Sequence, residues 1–164
     1  MKSGIYGLVI AAFCAVPAIG QDLTVDRGDV LACFGNTPIG AIYPDCLGDA
    51  ANACQDQDGG STTIGITECI MAETAVWDDM LNEEYTRLQR NFSARGWADG
   101  AVTNEELKVA LRDAQRAWIA YRDADCGLRY KVWEGGTIRG IVAANCELTM
   151  TASRALDLRD MDRP

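Results

Sequence analysis

The longest regular pattern in the chain runs from residue 66 to 92. Ile70, Thr74, Trp77, Leu81, Tyr85, Leu88 and Phe92 recur at steps of four, three, four, four, three and four, the spacing that places side chains on one face of an α-helix. Gly96 and Gly100 then bracket a loop. A second helix is predicted to open at Thr103, because Thr103 and Glu106 stand in the Ser/Thr-x-x-Glu order of a capping box. Its apolar stripe continues through Leu107, Leu111, Ala114, Trp118 and Tyr121 toward Leu128. It stops at Glu134-Gly135-Gly136, since paired glycines favour a turn. A third helix fits Thr137 to about Arg159, with Ile138, Ile141, Val142, Leu148, Ala152 and Ala155 facing inward. Arg159 and Arg163 suit its C-terminal end, where cations meet free carbonyls. Upstream, residues 28–58 read as two shorter helices joined at Asn36-Thr37-Pro38-Ile39-Gly40, and Gly59-Gly60-Ser61 turns the chain into the long helix. No segment shows sustained strand alternation. The expected fold is all-α: an antiparallel three-helix core with an N-terminal disulfide-linked helical hairpin.

The first twenty residues have a different character. Lys2, the apolar run from Ile5 to Val16 and the small residues of Ala18-Ile19-Gly20 read as a secretory signal peptide cleaved before Gln21. The apolar run is too short to span a bilayer. The domain plan is therefore signal peptide 1–20, an acidic Cys-containing helical extension 21–65, and a helical domain 66–164. Removing the signal leaves Cys33, Cys46, Cys54, Cys69, Cys126 and Cys146, an even set that reads as a disulfide framework in an exported domain. Cys126 and Cys146 each lie ten residues from Gly136, Cys33 and Cys46 are centred on Ile39-Gly40, and Cys54 and Cys69 on Ser61-Thr62. Folding back at those turns predicts the pairs 33–46, 54–69 and 126–146. Helix axes normally lie about 8–10 Å apart, whereas bridged Cα atoms lie about 5.5 Å apart. Gly127 and Ala143 are expected to ease the approach.

The mature chain sets 24 Asp and Glu against 14 Lys and Arg, a net charge of −10. The imbalance is local: residues 21–79 hold eleven acids and one base, Arg27, while residues 80–164 hold thirteen of each. Such a block repels nucleic acid and anionic membrane and favours a basic partner or simple solubility. There is no histidine, which removes the usual general base near neutral pH and the imidazole metal ligands. No C-x-x-C pair and no Gly-rich phosphate loop occurs, and Asp56-Gln57-Asp58-Gly59 lacks most of a calcium loop. Adjacent Asp78 and Asp79 point about 100° apart on a helix and form no carboxylate dyad. The expectation is a binding protein with no catalytic residues, no metal and no cofactor. A hydrolase using two carboxylates is the enzyme alternative.

The polar residues beside the apolar stripes are Asp79 and Asn82 around Leu81, Arg116 and Arg122 around Trp118 and Tyr121, and Arg154 on the third helix. A partly buried Arg needs a carboxylate or carbonyls, so these five are expected to form an interhelical network. Trp77 and Trp118 read as core. Trp97, in its Gly-containing loop, and Trp133, near the Gly135-Gly136 turn, are the candidate partner contacts.

Several pieces then occur in a characteristic order: Glu68-Cys69, Trp77-Asp78-Asp79-Met80-Leu81-Asn82-Glu83-Glu84-Tyr85, Leu111, Gln115-Arg116-Ala117-Trp118, Tyr121-Arg122-Asp123-Ala124-Asp125-Cys126, Gly135-Gly136, Cys146 and the stretch from Leu148 to Arg154. Over roughly residues 66–158 the chain resembles the LprI-like family, small exported bacterial proteins named after a lysozyme inhibitor. The resemblance implies a disulfide-bonded helical domain without catalysis. It makes a periplasmic or secreted protein that binds a basic lysozyme-type hydrolase the leading functional expectation. The alternative is a non-inhibitory structural or interaction protein of the cell envelope.

Overall fold

A computed structural model describes residues 22–94 and 102–162. The predicted signal peptide and Trp97 lie outside the described residues. Among those described there are five helices and no strand: α1 (Arg27–Asn36), α2 (Asp49–Cys54), α3 (Thr63–Ala94), α4 (Asn104–Val132) and α5 (Arg139–Asp160).

The stripe that predicts α3 is the one the helix buries, with Ile70, Trp77, Leu81, Leu88 and Phe92 all in the core. α4 opens on the expected capping box. The Thr103 hydroxyl accepts from the Glu106 amide at 3.2 Å, and the Glu106 carboxylate accepts from the Thr103 amide at 2.7 Å. The Thr103 amide and hydroxyl both donate to the Glu106 carboxylate, and these two bonds hold the carboxyl below its ordinary range.

Contacts along the helices set their directions. Gly140 of α5 sits beside Thr67 of α3. At the other end Arg87 and Asn91 of α3 reach Asp162, just beyond α5. α3 and α5 therefore run parallel. α4 opposes both: Gln89 of α3 donates to the Lys108 carbonyl and Arg154 of α5 donates to Gln115. The core is an up-down-up bundle in which α5 lies mainly along α3. α1 and α2 cover another side of α3, where Phe34 meets Trp77 edge-on at 6.0 Å.

Two buried charges dock this N-terminal segment. Glu73 is 1% exposed, and its carboxylate accepts from the amides of Gly48 at 2.9 Å and Ala51 at 2.8 Å and from the Trp77 indole at 3.1 Å. Gly48 is the N-cap of α2 and has no side chain to satisfy the free amides there. An acid from the neighbouring helix does so instead, at the end where a negative charge is favoured. Arg159 is 4% exposed and donates to the carbonyls of Phe34 at 2.7 Å, Thr37 at 3.0 Å and Pro38 at 3.2 Å. Its guanidinium also lies over the Phe34 ring, and Asp160 pairs with it. The sequence places Arg159 at the end of its own helix; its guanidinium serves the end of α1 instead.

The disulfides join Cys33 to Cys46, Cys54 to Cys69 and Cys126 to Cys146, with Cα separations of 5.9, 5.6 and 5.5 Å. Cys46 lies in the turn before α2, so the first bridge ties a helix to a loop. The second ties α2 to α3 and the third α4 to α5. Gly127 has no part in that third approach, because it is exposed and an added Cβ would meet nothing.

The predicted inner face of α4 needs a larger correction. Leu111, Gln115 and Cys126 are its buried residues, while Ala114, Tyr121 and Leu128 face solvent. Gln115 and Cys126 are eleven residues apart, close to three full turns, and so share a face. Ala114 sits one residue behind Gln115, about 100° round the helix, and Tyr121 and Leu128 follow it at steps of seven. Ile138, expected inward, is also exposed at the start of α5.

Two substitutions test these contacts. A Cβ on Gly65 would overlap the Gly59 carbonyl oxygen, where the Gly59-Gly60 turn presses on the start of α3. Gly65→Ala should lower the unfolding free energy by about 1–3 kcal/mol, read by urea denaturation without reductant. Glu73→Ala should cost about 3 kcal/mol or more, because it strands the α2 amides and the indole N–H in the interior. An unchanged midpoint for either variant would contradict these contacts.

Candidate partner-contact surface

The five polar residues singled out in the sequence are spread over several contacts. Asp79 pairs with Arg27 of α1 at 2.6 Å. Asn82 donates to Asp78 one turn earlier at 2.9 Å. Arg122 lies between α3 and α4, 4.0 Å from Asp78, bonded to Asp123 at 2.9 Å and stacked 5.1 Å over Trp118. Arg154 donates to Gln115 at 3.0 Å across the α4–α5 contact and pairs with Asp157. Arg116 points to solvent. Trp133 is half exposed at the C-cap of α4, where its carbonyl accepts from Gly136 in the turn to α5.

Other charged side chains have more to hold. Besides Glu73 and Arg159, Arg87 makes two bonds to Asp162, at 2.8 and 2.9 Å, pairs with Glu84, and donates to the Leu158 and Arg159 carbonyls at the end of α5. Burial by itself would lower the Arg87 pKa. The bonds and charges of Glu84 and Asp162 outweigh it and hold the guanidinium above its ordinary value. Glu73 leaves a trace in the sequence: it follows Ile70 by three and precedes Trp77 by four, so it stands on the buried stripe. An acid at such a position must find donors.

A groove of about 600 Å³ opens between the segment after α1, α4 and α5. Tyr43, Trp118, Tyr121, Asp125 and Met150 line it. A hollow of about 370 Å³ adjoins it, sharing Trp118 and Ser153 and adding Ile42, Arg154 and Asp157. The acids here are already matched, Asp125 to Arg129 at 3.0 Å and Asp157 to Arg154. Cys146 forms part of the groove wall, with the Met150 sulfur 3.9 Å from its own. Asp125, Cys126 and Cys146 bring a carboxylate and two sulfurs together, but the two sulfurs are bonded to each other and offer no thiolate to a metal. The chemistry of this surface is aromatic contact and hydrogen bonding.

A family model described as lysozyme inhibitor LprI matches residues 54–158. The chain belongs to that family. The matched span begins at the end of α2 and runs into the last turns of α5. It includes two of the disulfides and leaves α1, Cys33, Cys46 and the segment between them outside. An uncharacterized protein of Rhizobium meliloti (strain 1021) is 36% identical over 52 residues, which cover 32% of this chain and 37% of that protein. The similarity thus spans little more than a third of that relative's length. No solved structure matches. No helix among the described residues is long and apolar enough to cross a membrane. The disulfides and the LprI membership together point to an extracytoplasmic protein.

The LprI scaffold makes a specific demand on its third disulfide. Beyond Gln115, Cys126 is the sole residue of α4 that is buried. Replacing Cys126 and Cys146 together by Ser should cost about 3 kcal/mol. It should also speed amide hydrogen exchange in residues 119–132 far more than in α3. Uniform exchange changes across both helices would show that side-chain packing, and not the bridge, holds the far half of α4.

Proposed function

We propose that the protein is an exported bacterial binding protein that inhibits a lysozyme-type hydrolase, working in the periplasm or outside the cell after loss of residues 1–20. Membership of the lysozyme inhibitor LprI family over residues 54–158 carries this reading. The geometry supports it in two ways. The helical scaffold is cross-linked by three disulfides, and cross-linking limits the entropy lost on binding. Its surface offers an open groove with Trp118 and Tyr121 on one wall, side-chain types that favour protein contacts. On this reading residues 66–164 form the scaffold, residues 21–65 form an acidic extension, and Trp97 and Trp133 are additional contact positions.

The charge of the extension favours a basic partner, since opposite fields speed encounter. Purified mature protein in molar excess should slow the clearing of a bacterial cell suspension by a basic c-type lysozyme at low salt. The effect should weaken as ionic strength rises from about 10 to about 150 mM, where the screening length falls from about 30 to about 8 Å. Lysozyme activity that is unchanged at low salt would sink the proposal.

A further inference from the structure

We infer that the loop of residues 37–48 is the element that enters the partner, as a braced wedge with an apolar tip and an anionic rim suited to a cationic cleft. This rests on the inhibitor reading above and assigns the contact to one segment.

The tip is unusually apolar for a solvent-facing loop. Ile39, Ile42 and Tyr43 are 60%, 67% and 56% exposed, three large side chains within five residues. Clustered exposed apolar groups of this kind mark interaction surfaces. Tyr43 also lines the larger groove and Ile42 the smaller hollow, so a partner gripping the tip meets Trp118 as well.

The loop is held at both roots. Thr37 and Pro44 are buried, and the Cys33–Cys46 bridge closes the base. Arg159 clamps the Thr37 and Pro38 carbonyls, and Asp160 accepts from the Gly40 amide at 2.9 Å. Gly40 turns the chain at a φ of 81°, a conformation that side chains with a Cβ rarely adopt. A loop shaped before binding loses little conformational freedom on binding.

Charge selects the occupant. No Lys or Arg occurs between Arg27 and Arg87. Asp29, Asp45 and Asp49 are exposed around the loop. The nearby cations are paired: Arg159 in the interior with Asp160, Arg154 with Asp157 and, on the groove wall, Arg129 with Asp125. An apolar centre with an acidic edge complements a cleft whose rim is basic, and it repels nucleic acid and anionic lipid. The loop also lies outside the span matched by the family model. Partner choice by this loop is then a property of this chain, carried on the shared scaffold.

The test uses the whole mature protein and a basic c-type lysozyme. The triple variant Ile39→Ser, Ile42→Ser, Tyr43→Ser should raise the inhibition constant about tenfold or more, with the circular dichroism and disulfide map unchanged. Asp45→Lys should slow association mainly at low salt. Ile64→Ser, a distant exposed apolar position, should change nothing. Inhibition by the wild type together with equal inhibition by the triple variant overturns the wedge and leaves the inhibitor reading standing. A wild type that neither binds nor inhibits lysozyme overturns both. Hydrogen exchange of the wild type with and without lysozyme decides the matter even where the triple variant misfolds. Protection of amides near 39–43 is expected, and unchanged exchange there on a bound complex refutes the wedge.

Discussion

The structure depends on ion–backbone contacts made inside the protein. Glu73 accepts from the amides at the start of α2, and Arg159 donates to the carbonyls at the end of α1. Each charge is taken out of water, which is costly unless every lone pair or proton finds a partner. Here the partners are the backbone groups that short helices leave unsatisfied at their ends. The six-residue α2 is too short to persist unaided, and it is held by a carboxylate from α3 and a disulfide to α3. Together with the Arg27–Asp79 pair and the Phe34–Trp77 contact, these two charges register the segment before residue 62 on the bundle.

Disulfides and burial divide the work unequally between the two ends of the molecule. α3 and α5 share a continuous apolar core from Ile70 to Phe92 and from Ala144 to Leu158. α4 contributes little to that core past Gln115, and its distal half leans on the Cys126–Cys146 bridge. That economy has a structural consequence. A helix that is not buried on all sides leaves room for a groove against α5, and the loop after α1 closes the third side of it. The open surface and the covalent staple are two aspects of one arrangement.

Much of the scaffold is legible in the chain. The α3 stripe, the Thr103–Glu106 capping box, the Gly135-Gly136 turn and the three cysteine pairs are all local patterns, decided within one helix or across one reversal. The partners of the polar residues are not local. Their spacing predicts one interhelical network joining Asp79 and Arg122, whereas Asp79 turns to Arg27 and Arg122 to Asp78 and Asp123. Adjacent acids on a helix differ by about 100° in direction, so which of Asp78 and Asp79 faces α4 depends on how two helices are rotated.

The helical content, the order and ends of α3 to α5, the disulfide partners and the acidic bias of the first half are therefore written in the chain. Each rests on periodicity, capping or counting over short separations. Packing alone settles which face of α4 turns inward, that Glu73 and Arg159 become end caps for helices other than their own, and that Ile39, Ile42 and Tyr43 stand in solvent. Arg159 meets the Phe34 carbonyl across 125 residues of chain. No local pattern encodes such a pairing, because it forms when packing brings an unsatisfied backbone group and a buried charge to the same place.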